Sequence, residues 1–255
     1  MVHPIPATGF ARTYIICETE GLMAVDVGNT GCADDVEEFI IGELKRDLAD
    51  LRYITATHFH IDHIGGIAAL LKKCPPSTRV LFNYRVGDYI DGRAKISLMK
   101  NWRNALYPAS WASARYVRKA SHLHFETLAG IPLPIIRSRV RLLYGRERIL
   151  CMGGSCDRRA ATGFGKWEMI DTPGHTEDSV SFYHSGTREL ICGDFIVNLK
   201  KGGRGRVNRF HWRSDTIMET FFRLEKEIKP VAVYPGHGEV IRDPENALRG
   251  VEHLS

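Results

Sequence analysis

No stretch of this 255-residue chain approaches the ~20 consecutive apolar residues of a membrane span, so a transmembrane helix is not expected. The N-terminus, MVHPIPATGFARTYIICETEG, lacks a basic segment followed by a long apolar run, and no secretion signal is expected from it. The six cysteines, at 17, 32, 74, 151, 156 and 192, form no CxxC pair. They read as the reduced thiols of a cytoplasmic protein. Disulfide staples are not needed either. Hydrophobic content of 44% and charged content of 25% are ordinary globular values, enough for a sizeable core.

What the chain does have is THFHIDHIGG, residues 57–66. His58, His60, Asp62 and His63 fall within six positions. Histidine is the commonest metal ligand through a neutral ring nitrogen, and aspartate is a hard oxygen donor. Two residues apart on extended backbone, His58 and His60 face one side. Asp62 and His63 lie past a turn and face a neighbouring point, which suits two metals better than one.

The surrounding pattern places this cluster. The apolar run LMAVDVG (22–28) reads as a buried strand and RYITAT (52–57) as a β-branched strand that stops at the cluster. Helical spacing of Val36, Phe39, Ile40 and Leu44 predicts a helix over 34–47, and IGGIAALLKK (64–73) predicts another, ended by Pro75 and Pro76. RVLFN (79–83) is a further strand. The second half repeats this grammar, with strands expected at 166–172, 179–184, 189–197 and 231–234. A helix capped by Asp215 and a last helix over 244–254 complete it. Residues 84–150 differ and read as a mainly helical insertion in a single domain spanning 1–255. Strand ends in α/β folds are where sites gather. Three more ligand types sit at strand ends beside glycine: His175 in DTPGHTEDS, Asp194 in LICGDFI and His237 in VYPGHGEV. Glycine removes bulk where backbones must converge on an ion.

HxHxDH followed by His, Asp and His, and preceded by Asp26-Val27-Gly28, resembles the metallo-β-lactamase superfamily. The likeness runs from Asp26 to His237. It implies an α/β fold, a four-layer αββα sandwich of two similar halves with a dinuclear metal centre. By the resemblance, His58, His60 and His175 hold a first metal and Asp62, His63 and His237 a second. Asp194 bridges them, and Asp26 orients a ligand histidine. Two Zn²⁺ per chain are implied, with iron or manganese the other metals considered. Asp62 and Asp194 are the candidate catalytic carboxylates, Asp62 as an acid toward the leaving group. The implied activity is hydrolysis of an ester, lactone, thioester or phosphoester.

Departures from the family's branches narrow this. Val197 stands where acyl-homoserine lactonases carry tyrosine, and His60 where flavodiiron oxidoreductases carry glutamate. With 18 residues after His237, the helical domain of glyoxalase II enzymes is not expected. A mononuclear-iron oxidoreductase resembling persulfide dioxygenases is one rival reading, using the His58, His175 and Asp194 positions. A nucleic-acid-processing phosphodiesterase is another, favoured by charge alone. Residues 93–148 hold 12 Lys or Arg against 2 Glu, and Lys200 to Arg213 is a second basic run. Such segments favour a small anionic substrate. Arg103, Arg115 and Arg118, among Trp102, Tyr107, Trp111 and Tyr116, are its candidate contacts, with peripheral membrane contact by the insertion as the competing use. His122 and His124 imitate HxH but lack the Asp-His that follows, and read as non-ligands. Cys192 reads as a small buried residue.

Overall fold

The computed structural model describes residues 1–96, 115–126, 143–154 and 157–254. Arg103, Trp102, Tyr107 and Trp111, and with them most of the expected insertion, lie outside the described residues. The chain divides into two compact units: Met1–Ile96 with Ser113–Met152, and, among the described residues, Gly153 onward.

The first unit is built on a six-stranded sheet, β1 (Val2–Pro4), β2 (Tyr14–Glu18), β3 (Gly21–Val25), β4 (Leu51–Thr55), β5 (Arg79–Asn83) and β6 (Ile149–Met152), in that spatial order. The first three strands pair antiparallel, and β3 to β6 run parallel. Alternate residues Leu22 and Ala24 on β3, and Val80 and Phe82 on β5, face one side. They join Cys32, Ala33, Val36 and Ile40 of one helical segment and Ile67, Leu70 and Leu71 of another in one apolar cluster. Each fully buried leucine or isoleucine contributes about 1.5–3 kcal/mol.

The first helix begins at Thr30, four residues before the sequence pattern places it, and runs to Glu38. Its start is set by Asn29, whose side-chain oxygen accepts from the Cys32 N–H at 2.8 Å. Beyond Glu38 it widens into a π turn, Phe39–Glu43, with Leu44 N–H bonding the Phe39 carbonyl. The helix expected over 64–73 is interrupted by Gly65 and Gly66. A four-residue turn, Ile61–Ile64, precede the pair, and Ile67–Lys73 follows. Tyr84–Ile90 is helical, as is fitting for the start of the expected insertion.

The second unit carries β7 (Arg159–Ala161), β8 (Trp167–Asp171), β9 (Val180–His184), β10 (Glu189–Gly193), a small β11 (Ile196–Val197) and β12 (Arg206–Val207) pair, β13 (Ala232–Pro235) and β14 (Ile241–Arg242). Its main sheet has the order β14-β13-β10-β9-β8-β7, with β10 and β13 parallel. The Ser214–Glu227 helix buries Ile217, Phe221 and Leu224, one face at helical spacing, against Leu190, Val233 and Ile241. Arg213, not Asp215, holds its N-cap position, without a side-chain bond. Asp215 sits in the first turn, where its charge favours the positive end of the helix dipole.

The helix expected over 244–254 does not form; these residues make successive turns. The Asp243 carboxylate accepts from the Glu245 and Asn246 N–H groups, and Asn246 Oδ1 from Leu248 N–H. Those local bonds take the backbone donors a helix would use. Ala247, Leu248 and Val251 remain buried, so the apolar spacing that imitates a helix is satisfied by turns. Among the described residues no helix is long and apolar enough to cross a membrane.

Candidate metal centre

In the first unit, β3 and β4 are parallel neighbours with Val25 opposite Thr55. Their C-terminal ends therefore deliver Asp26 and Thr57-His58 to the same edge of the sheet. Asp26 is fully buried and adopts a left-handed conformation, φ 63°, which aspartate tolerates better than most side chains. Its backbone is pinned on both sides: its N–H donates to the Thr55 carbonyl, and its carbonyl accepts from Thr13 Oγ1 at 2.6 Å. The carboxylate accepts from the Thr57 N–H at 2.7 Å and from Thr57 Oγ1 at 2.9 Å. Its Oδ2 also lies 3.0 Å from His63 Nδ1. The carboxylate thus lies against Nδ1, on the side of the ring away from Nε2. That Nε2 stands 3.8 Å from Asp62 Oδ2. His58 Nε2 and His60 Nδ1 are 2.8 Å apart. His58, His60 and His63 are buried; the Asp62 side chain keeps 27% of its exposure.

The loop after β3 lies directly on the cluster. A Cβ on Gly28 would sit 1.8 Å from the Asp62 carbonyl oxygen, and one on Gly66 2.0 Å from that of Asn29. Only glycine allows these backbones to approach so closely.

In the second unit, three strand ends coincide. β10 and β13 run parallel with Gly193 opposite Pro235, so Asp194 and His237 follow at one edge. β8 points the same way as β10, since each pairs antiparallel with β9, and it leads to His175. The β10–β13 register slips between Ile191 and Gly193, an irregularity that re-aims the chain just before Asp194. His175 Nδ1 is 2.6 Å from the Phe210 carbonyl, an acceptor only, so Nδ1 is protonated and Nε2 holds the lone pair. Asp194 Oδ2 lies 3.5 Å from His175 Nε2 and 3.2 Å from His237 Nε2. Asn208 donates to the Asp194 main-chain carbonyl at 2.8 Å. Beside His237, Gly238 at φ 97° would place a Cβ 1.9 Å from the Asn198 carbonyl oxygen.

The donor chemistry of both sets fits a divalent cation. Imidazole nitrogens face carboxylate oxygens or each other in buried surroundings, with no Lys or Arg among the seven side chains. Electron-rich atoms held this way repel unless a cation lies among them. His63 and His175 have a carboxylate and a carbonyl beside Nδ1, the kinds of group that orient metal-binding histidines.

The structure thus keeps His58, His60, His175, Asp194 and His237 in the segments that follow strand ends, and Asp62 and His63 on the helical turn Ile61–Ile64, each within its own unit. Sequence reasoning missed Thr57, Asn208 and the Phe210 carbonyl, which support ligands without being ligands. Arg115 is exposed and rests on Tyr116, and Arg118 is exposed. His122 is buried with Nε2 2.7 Å from Asp35 Oδ2, while the Arg118 N–H donates to Nδ1; it is engaged as a structural histidine. Cys192 is buried, as expected.

Comparison with known proteins agrees. Residues 7–81 match the family model of the Metallo-beta-lactamase superfamily. A hydroxyacylglutathione hydrolase of Idiomarina loihiensis is 24% identical over 237 residues, covering 92% of this chain. This chain spans 64% of the length of that relative, less than two thirds. An archaeal metallo-beta-lactamase superfamily protein from Sulfolobus tokodaii superposes with a TM-score of 0.58 at 20% identity, covering 94% of this chain and 81% of that one. TTHA1623, solved in a di-iron-bound form, superposes with a TM-score of 0.55 at 19% identity, covering 94% of each chain. At such identities the structural likeness is one of fold. The chain is thus similar to the metallo-β-lactamase superfamily in its motif-bearing segment, residues 7–81, and similar to these solved structures in fold.

Proposed function

We propose that the chain is a metal-dependent hydrolase acting on an ester, lactone, thioester or phosphoester with an anionic portion. Its metals, two zinc ions in this reading, are held by His58, His60, Asp62, His63, His175, Asp194 and His237. When bound, such cations supply Lewis acidity at a carbonyl or phosphoryl oxygen and a nucleophile from water at neutral pH. Everything else falls to the chain. The Asp26 carboxylate lies against His63 Nδ1, and the Phe210 carbonyl fixes the tautomer of His175. Asp194 presents one oxygen to two imidazoles, the arrangement of a shared carboxylate. Asp62, the carboxylate that keeps some exposure, is in this reading the acid that carries a proton toward a leaving group. The observation that carries the reading is the pair of imidazole nitrogens facing Asp194 Oδ2. A hydroxyacylglutathione hydrolase among the relatives puts thioesters first in the substrate panel. The basic segments, with Arg103, Arg115 and Arg118, support an anionic substrate.

Metal analysis tests this. Purified protein should hold close to two transition metals per chain, and Asp194→Ala should lower that markedly. A wild-type protein that stays metal-free after zinc reconstitution refutes the proposal. One iron per chain favours the mononuclear oxidoreductase reading instead. Turnover of a panel of thioester, ester, lactone and phosphodiester substrates then assigns the bond cleaved, and a phosphodiester alone favours the nucleic-acid-processing branch.

A further inference from the structure

Arg12 has an unusual setting. It is only 9% exposed. Its Nη1 donates to the Pro6 carbonyl at 3.0 Å, but its buried Nε meets no hydrogen-bond partner. Among the described residues no carboxylate pairs with it, and the segments outside them contain no Asp or Glu. A buried cation without a counter-ion is costly, and folded chains retain one where something else compensates it.

A second guanidinium shares its surroundings. Arg12 lies 4.9 Å from the centroid of the Tyr116 ring, and Arg115 lies 4.8 Å from the same centroid. Arg115 also donates to the Tyr116 hydroxyl at 2.8 Å. The ring partly offsets both charges through its quadrupole. It does not neutralise them. Tyr116 is itself fixed, since its carbonyl accepts from the Gly9 N–H. The Arg12 loop is fixed too: Thr8 and Thr13 bond one another, and Thr13 Oγ1 bonds the carbonyl of Asp26, the residue that orients His63. Two cations are therefore pre-positioned next to a supporting loop of the metal-ligand cluster.

We propose that Arg12, Arg115 and Tyr116 form a receptor for a small oxyanion, the carboxylate or phosphate group of a small molecule, with Arg12 as its buried anchor. The guanidinium fork matches the planar or tetrahedral oxygens of such a group, and the free Nε hydrogen is the donor it would engage. That the anion belongs to the substrate rests on the anionic-substrate reading above. Anion binding itself does not, and it is measured without turnover.

Calorimetric titration of inorganic phosphate, and separately of acetate, into the purified protein tests it, with ionic strength held constant by chloride. Saturable binding of at least one anion is expected, and the stronger of the two names the group. Arg12→Gln should weaken that binding about tenfold or more, with metal content unchanged, and Arg12→Lys, which keeps charge but not the fork, should fall between. If Arg12→Gln does not fold, Arg115→Gln decides, because Arg115 is exposed; it should weaken binding about threefold to tenfold. Absence of binding by both anions overturns the proposal. So does binding that neither substitution alters, which would assign the anion to the metals. Failure of the hydrolase reading shows separately, as absence of metal from the wild-type protein.

Discussion

Asp26 ties together more of the first unit's site than any ligand does. It lies in a conformation most residues avoid, and its carboxylate serves Thr57 and His63 at once. Asp26→Ala removes the carboxylate beside His63 Nδ1, and loss of such a partner typically costs ten- to a hundredfold in metal affinity. A chelator competition should show a loss of about that size, with Asp26→Asn less affected; wild-type affinity in Asp26→Ala would deny the residue this role. The proposed ligands were legible in the sequence because they are titratable side chains, four of them clustered within six positions and three beside glycine after a strand. Thr57, Asn208 and the Phe210 carbonyl were not, since a hydroxyl, an amide or a main-chain oxygen leaves no mark until the fold brings it to a ring nitrogen. Cys32 allows a test by pH. It is buried against Thr13 Oγ1, and burial pushes its thiol up from 9.0 to about 12. Below pH 9 folded and unfolded chains both keep the proton, and Cys32 is silent. Between 9 and about 12 the unfolded chain releases it while the folded chain does not, so stability falls by roughly 1.4 kcal/mol per pH unit. Urea denaturation across that window should give a shallower loss for Cys32→Ala than for the wild type, and equal slopes would contradict the burial of the thiol.

At the scale of elements, strands were read more accurately than helices. A short β-branched run bounded by a turn has little alternative, and Arg79–Asn83 forms where RVLFN places it. Helix ends depend on side-chain caps. Asn29 starts the first helix ahead of its apolar stripe, and the Asp243 and Asn246 side chains replace the last expected helix by turns. Both outcomes turn on one polar atom that the apolar period does not report. The contact between the β3 loop and the cluster is likewise set by missing atoms. In Gly28→Ala the new methyl meets the Asp62 carbonyl at 1.8 Å, and backbone has to move. A cost of about 1–3 kcal/mol is expected from overpacking of this kind, together with metal loss, because the displaced residue is a proposed ligand. Gly42→Ala is the control. Nothing lies within 4 Å of its Cβ, and it should be neutral or stabilising by up to about 1 kcal/mol. Denaturation midpoints and metal content of the two variants decide; equal behaviour would mean that the Gly28 approach has no consequence.

For the whole molecule, the repeated strand–helix grammar of the sequence corresponds to two six-stranded sheets. The ligand types are divided four and three between the units, and run from His58 to His237 along the chain. An unfolded chain cannot hold residues so far apart in sequence on one ion, so the proposed metals bind the native state almost exclusively. Folding stability then depends on free metal through mass action, gaining about 2.7 kcal/mol at a hundredfold excess over the dissociation constant. For a chain of this size that corresponds to roughly 5–10 °C in the unfolding midpoint. Calorimetric scans should show the midpoint falling with excess chelator and rising with added zinc. Asp194→Ala should flatten that dependence, since one of its oxygens faces both His175 and His237. A midpoint indifferent to chelator and zinc would show that the seven side chains are held by the fold alone, and the hydrolase proposal would lose its physical basis.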